Sequence, residues 1–240
     1  MVDTTPYKPL GRNAYGSIPH LPSSRLGQGE HSISPGQARI CCERKRDRHD
    51  RVYIQEKLDG SCTAVTKLDS QLHALGRAGY LAASSPYEMH QMFAVWVEAN
   101  YQRIDAVLQE GETLVGEWLA QAHSTRYSLF HDPWVPFDLM TGVDYRRSTL
   151  LVLVDRLQDS GFTIPHVIAE EPTPSDAAMK LLASSYHGAI DPVEGAVWRV
   201  ERQGKVDFLA KFVRQDKVDG IYLPEISGEP AIWNWHLAPT

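Results

Sequence analysis

Apolar and polar positions change their spacing several times along this chain. From Val52 to Leu75, short apolar runs (Val52 to Ile54, Ala64 to Val65) are broken by polar residues and turn formers, the pattern of short strands. At Ser85-Pro86-Tyr87-Glu88 the period lengthens. Serine followed three residues on by glutamate, with proline at the first helical position, predicts a helix opened by a capping box. Met89, Met92, Phe93, Trp96, Ile104, Val107 and Leu108 give that helix one apolar face, and Gly111 lies just past its end. These Met and aromatic residues read as core. A strand over Thr113–Trp118 follows, then an irregular stretch, then a strand over Val135–Met140. Two further helices are predicted, one from about Tyr145 to Asp159 ending near Gly161, the other from Thr173-Pro174-Ser175 to near Gly188. Ala196–Arg202 and Val206–Val213 alternate on either side of Gln203-Gly204, which reads as a hairpin. There is no internal repeat. Strands and helices do not alternate strictly, so the pattern predicts an α+β fold with a mostly antiparallel sheet.

The two ends read differently from the middle. Residues 1–40 are rich in Pro, Gly and Ser (Pro6, Pro9, Pro19, Pro22, Pro35) and show no period, as expected of an extended N-terminal arm. Residues 41–214 form the expected body. Residues 215–240 hold Tyr222, Trp233 and Trp235 among Gly and Pro, as in a strap packed on the core; the alternative for the two tryptophans is base stacking. The stretch 43–51 is charged with basic excess and reads either as a solvated loop or as an edge that touches phosphates.

Composition narrows the class. With 240 residues, 42% hydrophobic and 22% charged, the chain suits a soluble globular protein. No apolar run approaches the roughly 20 residues that span a bilayer, and residues 1–30 lack the pattern of a signal peptide, so no membrane role is expected. Cys41, Cys42 and Cys62 have no zinc-site spacing, and adjacent cysteines make poor disulfide partners, which points to a reducing cytoplasm. The net charge of −6 means that any nucleic acid must be held by a local basic surface.

Candidate chemistry centres on Glu56-Lys57-Leu58-Asp59-Gly60-Ser61. A lysine on a rigid turn can attack the α-phosphate of a nucleotide and hold the nucleoside monophosphate as a phosphoramidate. Asp-Gly between two strand-like runs is equally the signature of a plain hairpin. Four further segments follow in order: Gly76-Arg77-Ala78-Gly79; Gly116-Glu117-Trp118-Leu119 running to His123-Ser124-Thr125-Arg126-Tyr127; Phe137-Asp138; and Glu194-Gly195-Ala196-Val197 with Ala210-Lys211-Phe212-Val213-Arg214.

Over about residues 52–214 this series resembles the covalent lysine nucleotidyltransferase superfamily of polynucleotide ligases and capping enzymes. Within it, the series looks most like ATP-dependent RNA ligases of the nick-sealing phage type. The resemblance implies a ligase-type adenylation domain, with mostly antiparallel sheets flanked by helices. It also implies ATP as co-substrate, Mg²⁺ or Mn²⁺, and as partner an RNA with 5′-phosphate and 3′-hydroxyl ends. Residue by residue, Lys57 would be the AMP-modified nucleophile, and Asp59 would shape the turn and orient a metal-bound water. Glu56 and Arg77 would join the nucleotide site, Arg77 at the ribose and terminal phosphate. Glu117 would accept from the ribose hydroxyls, Phe137 would stack on adenine, Glu194 would hold the metal, and Lys211 would touch the α-phosphate.

Each of these residues also has a plainer reading. Glu117 suits a strand-end acid, Phe137 the core, Glu194-Gly195 a turn, and His123 a structural histidine. A lysine attacks only when neutral, and with an ordinary pKa near 10.4 only about one in a few thousand is neutral at pH 7. Neighbouring cations (Lys211, Arg77, a divalent ion) and desolvation are therefore expected to depress Lys57. Relatives usually place two lysines, one residue apart, in the last motif; here the first position is Leu209. Only 26 residues follow Arg214, so no separate oligonucleotide-binding domain is expected. The alternatives are a DNA ligase or guanylyltransferase sharing the lysine chemistry, and a non-catalytic nucleic-acid-binding relative.

Overall fold

The chain crosses between two antiparallel sheets at Leu58-Asp59-Gly60, and this crossing organises the fold. In the computed structural model, which describes residues 7–236, β1 (Asp50–Lys57) pairs with β7 (Val167–Ala169) and β8 (Gly195–Arg202), and β8 pairs with β9 (Lys205–Val213). The order is β7-β1-β8-β9. The second sheet runs β3-β2-β4-β5-β6. It is built from β2 (Ser61–Leu68), β3 (Gln71–Gly76), β4 (Thr113–Trp118), β5 (Trp134–Thr141) and β6 (Arg146–Arg147). The expected α+β class and antiparallel pairing are present, divided between two sheets. Because β1 and β2 belong to different sheets, Asp59-Gly60 is not the turn of a hairpin. A Cβ at Gly60 would lie 2.4 Å from the Trp118 carbonyl oxygen, so only glycine lets the crossing pass the end of β4. The expected hairpin at Gln203-Gly204 is present, with φ of 50° and 74° suiting its tight turn.

Helices cover the outer faces. From α2 (Glu88–Ala99), α3 (Tyr101–Asp105) and α4 (Leu150–Leu157), Phe93, Trp96, Ile104 and Leu153 pack with Trp118, Trp134 and Phe162 against the five-stranded sheet. From α1 (Pro35–Cys42) and α5 (Ser175–Leu181), Ile40, Cys41 and Ala178 pack with Ile54, Trp198 and Val200 of the other sheet. Trp233 and Trp235 pack against the first of these cores, as expected of a strap; residues 237–240 of that strap and 1–6 of the arm lie outside the described residues.

Several element boundaries differ from expectation, each for a local reason. Regular structure begins inside the N-terminal arm, because Ser34 and Gln37 form a reciprocal capping box that starts α1. The capping box expected at Ser85 and Glu88 does not form: the Ser85 hydroxyl bonds to His90 Nδ1 at 2.8 Å, and α2 starts at Glu88 with no side-chain cap. The apolar face read as one helix is split at Asn100, whose side chain donates to the Trp96 carbonyl at 2.9 Å. The helix expected from Tyr145 starts only at Leu150, capped by Thr149, because Arg146 and Arg147 pair with β5 instead.

The helix expected to reach Gly188 ends at Leu181, since the next turn is committed to side-chain bonds. Ser185 Oγ and the Tyr186 N–H donate to the two Glu56 carboxylate oxygens, at 2.5 and 2.9 Å. The His166 N–H donates to His187 Nε2 at 3.2 Å, so His187 carries its proton on Nδ1 and donates it to His131 Nε2 at 2.9 Å. A charged His187 would set N–H against N–H. Burial, with His131 and His166 alongside, pulls its pKa down to about 3.

The charged stretch is a largely exposed loop, partly paired and with Arg44, Arg48 and Arg51 facing solvent. Arg46 binds Asp50 and Asp207, Arg202 binds Asp47 and Asp50, and Lys45 binds Glu171. It sits at the start of β1, roughly 23 Å from Lys57 at about 3.3 Å per residue, so it does not border the crossing.

One ion cluster pins the two sheets together. Asp138 of β5 is fully buried; its Oδ1 accepts two bonds of 2.7 Å from Arg199 of β8, and its Oδ2 accepts from Arg147 and Tyr15. Asp138→Ala removes two of the bonds to the buried Arg199, leaving its Nε on Glu201 and one Nη on the Ser148 carbonyl, and we expect it to lower unfolding free energy by about 3 kcal/mol in urea titrations. A loss under about 1 kcal/mol would mean the cluster is not a structural pin. For His187 the folded pKa lies below the unfolded one, so its contribution is complete above pH 6.5 and is lost as pH falls toward 3. His187→Asn should therefore flatten the fall of urea midpoint between about pH 6.5 and 4, a slope of up to about 1.4 kcal/mol per pH unit. An unchanged slope would place the acid sensitivity elsewhere.

Candidate active site

A cavity of ≈ 950 Å³ opens between the inner faces of the sheets, with walls from β1, β2, β4, β5, β8 and β9. The strand register decides which side chains meet there. Lys57, the last residue of β1, lies opposite Gly195 of β8, which sets Glu194 beside it. A Cβ at Gly195 would stand 1.8 Å from the Phe212 carbonyl oxygen, so glycine is required for β9 to close on β8 at this point. Lys57 Nζ donates to Glu194 Oε2 at 2.5 Å. Lys217, buried and contributed by the turn after β9, donates to Glu194 Oε1 at 2.7 Å and to Asp59 Oδ1 at 2.6 Å. Four groups thus alternate in charge: Lys57, Glu194, Lys217, Asp59.

The segment after β4 holds the crossing in place. The Asp59 N–H donates to the Tyr127 hydroxyl at 3.0 Å, and the Ser124 N–H donates to Asp59 Oδ2 at 2.8 Å. Gly60 N–H donates to Glu117 Oε1 at 3.0 Å. His123 lines the cavity with Nε2 3.3 Å from Met89 Sδ, in keeping with a structural histidine.

Electrostatics run opposite to expectation at the lysine. Burial pulls the Lys57 pKa down, but Glu194, Glu117 and Asp59 overbalance it and hold the ammonium above the ordinary lysine range. The cations expected to depress it are engaged elsewhere. Lys211 donates to Glu30 of the arm at 2.7 Å, and Arg77 to the Gly16 carbonyl and the Ser17 hydroxyl, at 3.2 and 3.1 Å. Burial lifts the Glu117 carboxyl to about 7, with Lys57 opposing and Glu194 adding to the rise. At Asp59 burial pushes up, yet Lys217 and Lys57 hold the carboxyl below its usual range.

Of the residues singled out in the sequence, Lys57, Asp59, Glu117, Phe137, Glu194, Lys211, Arg77 and Glu56 all line the one cavity. Phe137 falls at an irregularity in the β4–β5 register, and its ring meets Tyr15 edge-on at 5.3 Å. Such a bulge re-aims one side chain. Glu56 contributes to the wall, but its carboxylate is taken by Ser185 and Tyr186. Leu209 adds an apolar patch beside Lys211. Lys217, Glu30 and Tyr15 were not foreseen. In sequence Lys217 is one more charge in a polar turn, and the other two lie in an arm without periodicity.

Asp59 and Glu194 each turn one carboxylate oxygen to the same cation, a pair of hard oxygen donors. It suits Mg²⁺ or Mn²⁺, which take one or two carboxylates and keep several waters. Among the described residues no group of three or more His, Cys, Asp or Glu is placed to hold a metal ion, so the carboxylates on hand are the pair Asp59 and Glu194.

Known structures share this architecture. An archaeal ATP-dependent RNA ligase aligns with a TM-score of 0.51 and 16% identity, over 83% of this chain and 48% of its own. A Naegleria gruberi RNA ligase solved with PPi gives 0.52 and 17%, over 90% of this chain and 63% of its own. A variant of the Naegleria enzyme solved with ATP and Mn gives 0.50 and 16%, over 87% and 61%. This chain spans about half to under two thirds of those relatives, and at such identities the likeness is one of fold. A comparison with curated proteins gives no match. The RNA ligase family itself matches residues 50–213, from the start of β1 to the end of β9 and so across every strand that walls the cavity; the chain belongs to the RNA ligase family.

Proposed function

We propose that this protein is an ATP-dependent RNA ligase that takes AMP onto Lys57, passes it to an RNA 5′-phosphate and joins that end to a 3′-hydroxyl. One observation carries the reading. Lys57, Asp59, Glu117, Glu194 and Lys211, far apart in sequence, converge on a single cavity between two sheets. Family membership supports RNA as the substrate class. The Naegleria relative of the same fold was solved with ATP and Mn, and we assign ATP and a divalent ion here.

In this mechanism Lys57 must first lose a proton to solvent, and Glu194 Oε2, 2.5 Å away, holds the ammonium until a cation takes its place at that carboxylate. The amine then attacks the α-phosphorus: an N–P bond forms, the bond to the β-phosphate oxygen breaks, and pyrophosphate leaves with the electron pair. Asp59 and Glu194 would hold a divalent ion, which would supply charge neutralisation at the reacting phosphate. Lys211 exchanges Glu30 for the α-phosphate, and Arg77 faces the outer phosphates. Glu117, with one oxygen on Gly60 N–H, keeps the other for a ribose hydroxyl, and Phe137 stacks on the adenine.

RNA repair in the cytoplasm is the setting we assign. The three unpaired cysteines support a reducing compartment, and among the described residues no helix is long and apolar enough to cross a membrane.

Incubation with α-labelled ATP should yield acid-stable label on the protein, and Lys57→Ala should abolish it; because that variant takes a buried partner from Glu194, Lys57→Arg, which keeps the charge, should also take no label while unfolding as the parent does. Label persisting in either variant would remove Lys57 as the nucleophile. The RNA assignment has its own test: nicked duplexes that differ only in ribose or deoxyribose at the 3′-hydroxyl end. Faster sealing of the ribose nick is expected, because the 2′-hydroxyl and A-form shape are what distinguish RNA. Equal or faster sealing of the all-DNA nick would make the enzyme a DNA ligase.

A further inference from the structure

Lys217 lies four residues beyond the stretch that the RNA ligase family matches. Its neighbours Arg214, Asp216 and Asp219 form surface ion pairs, Arg214 with Asp216 and Asp219 with Arg25. Lys217 alone turns inward, with 4% of its side chain exposed. The turn that carries it is fixed by backbone bonds: the Lys217 N–H donates to the Arg214 carbonyl at 3.3 Å, and Gly220 N–H to Ser124 Oγ at 2.7 Å. Ser124 also holds Asp59 through its own N–H, so the turn and the crossing are built as one unit.

Burying an ammonium is costly unless its partners are well placed. Here both partners are site carboxylates, reached at 2.6 and 2.7 Å through one oxygen each, Asp59 Oδ1 and Glu194 Oε1. Their second oxygens are occupied by the Ser124 N–H and by Lys57. Asp59 and Glu194 thus reach Lys217 from the crossing and from the start of β8, two segments whose acids would repel with no cation between them. Two hard oxygens flanking one positive charge, in a phosphate-handling cavity, is also the arrangement that a hydrated divalent ion requires. A lysine that served only to tie down the turn would be served by a rim carboxylate, as its neighbours are.

We propose that Lys217 is a positioning residue, a tethered cation that keeps Asp59 and Glu194 together and that the divalent ion displaces from between them. The inference rests on the ligase reading above and names how its metal site is maintained before the ion arrives. Lysine and metal compete for the same two oxygens, so the free protein binds the ion weakly. The incoming ion, by taking over both carboxylates, frees the Lys217 ammonium to face the anionic substrate.

The test is Mn²⁺ binding without nucleotide, read from the electron paramagnetic resonance signal of free Mn²⁺. Lys217→Met should tighten binding by at least about tenfold, since it removes both the competitor and a unit charge beside the ion. Lys217→Arg, which keeps the charge, should bind as the parent does. A purely structural lysine predicts the reverse pattern: lower unfolding stability in Lys217→Met with Mn²⁺ affinity unchanged or weaker, which would overturn the proposal. Amine-reactive labelling of the unmodified protein, read by mass spectrometry, needs no variant to fold. Mn²⁺ alone should raise the reactivity of Lys217, and a reactivity insensitive to Mn²⁺ would also overturn it. AMP labelling of Lys57 separates this inference from the one beneath it. Label present with Mn²⁺ affinity unchanged in Lys217→Met defeats the tethered cation alone; label absent with affinity tightened defeats the ligase reading alone.

Discussion

Alternating charge along Lys57, Glu194, Lys217 and Asp59 is the interaction on which the rest of this site depends. Buried acids and bases persist only when each faces its opposite, and one missing member leaves its neighbour exposed to the full desolvation cost. That requirement dictates local features which otherwise look unrelated. The β1–β8 register must stop with Lys57 opposite Gly195, so that Glu194 can reach it. The crossing must pass under β4 without a side chain at Gly60. Tyr127 and Ser124 must then supply the two bonds that stop Asp59 from swinging toward solvent.

The two sheets that bound the cavity share no strand, so something other than a β-ladder has to fix their separation. Asp138 and Arg199 do this across the interior, and Tyr15 of the arm joins the same carboxylate. The arm is therefore part of the site. Ala14 and Tyr15 donate their N–H groups to the Arg77 carbonyl, and Leu21 N–H donates to that of Lys211, at 3.0, 3.2 and 2.8 Å. Residues without hydrophobic period can still be strictly positioned when their backbone groups bond to ordered strands.

Much of this was legible in the sequence where a local rule and the tertiary outcome agree. Gln203-Gly204 forms its hairpin because the left-handed turn it favours is also the one the strands need. The apolar face of Met89, Phe93 and Trp96 found the core because periodicity and burial coincide. Legibility failed where side chains serve distant partners. Ser85 has the sequence of a cap but bonds His90, and the turn after α5 is held by Glu56 rather than by helical bonds. Asp59-Gly60 has hairpin chemistry yet joins two sheets, which no short-range pattern encodes. The ordered motifs located most of the cavity. They said nothing of Lys217 or Glu30, because one buried lysine in a polar turn has no local mark, and the field of three carboxylates on Lys57 arises only when remote strands meet.

The pairing of every cavity lysine with an acid sets how an anionic substrate can enter. Lys211 pairs with Glu30, whose side chain is 37% exposed, also pairs with His20 and accepts from the Gly27 N–H. A phosphate at Lys211 would have to replace Glu30 there. Lys57 and Glu194 form the inner pair, with the Glu194 side chain only 8% exposed, and separating them leaves a buried charge unless another cation takes the place of the ammonium. An added anion would not free the Lys57 amine, since it raises the negative field that already holds Lys57 protonated. Separating this pair requires added positive charge at Glu194, because the acids around Lys57 are buried.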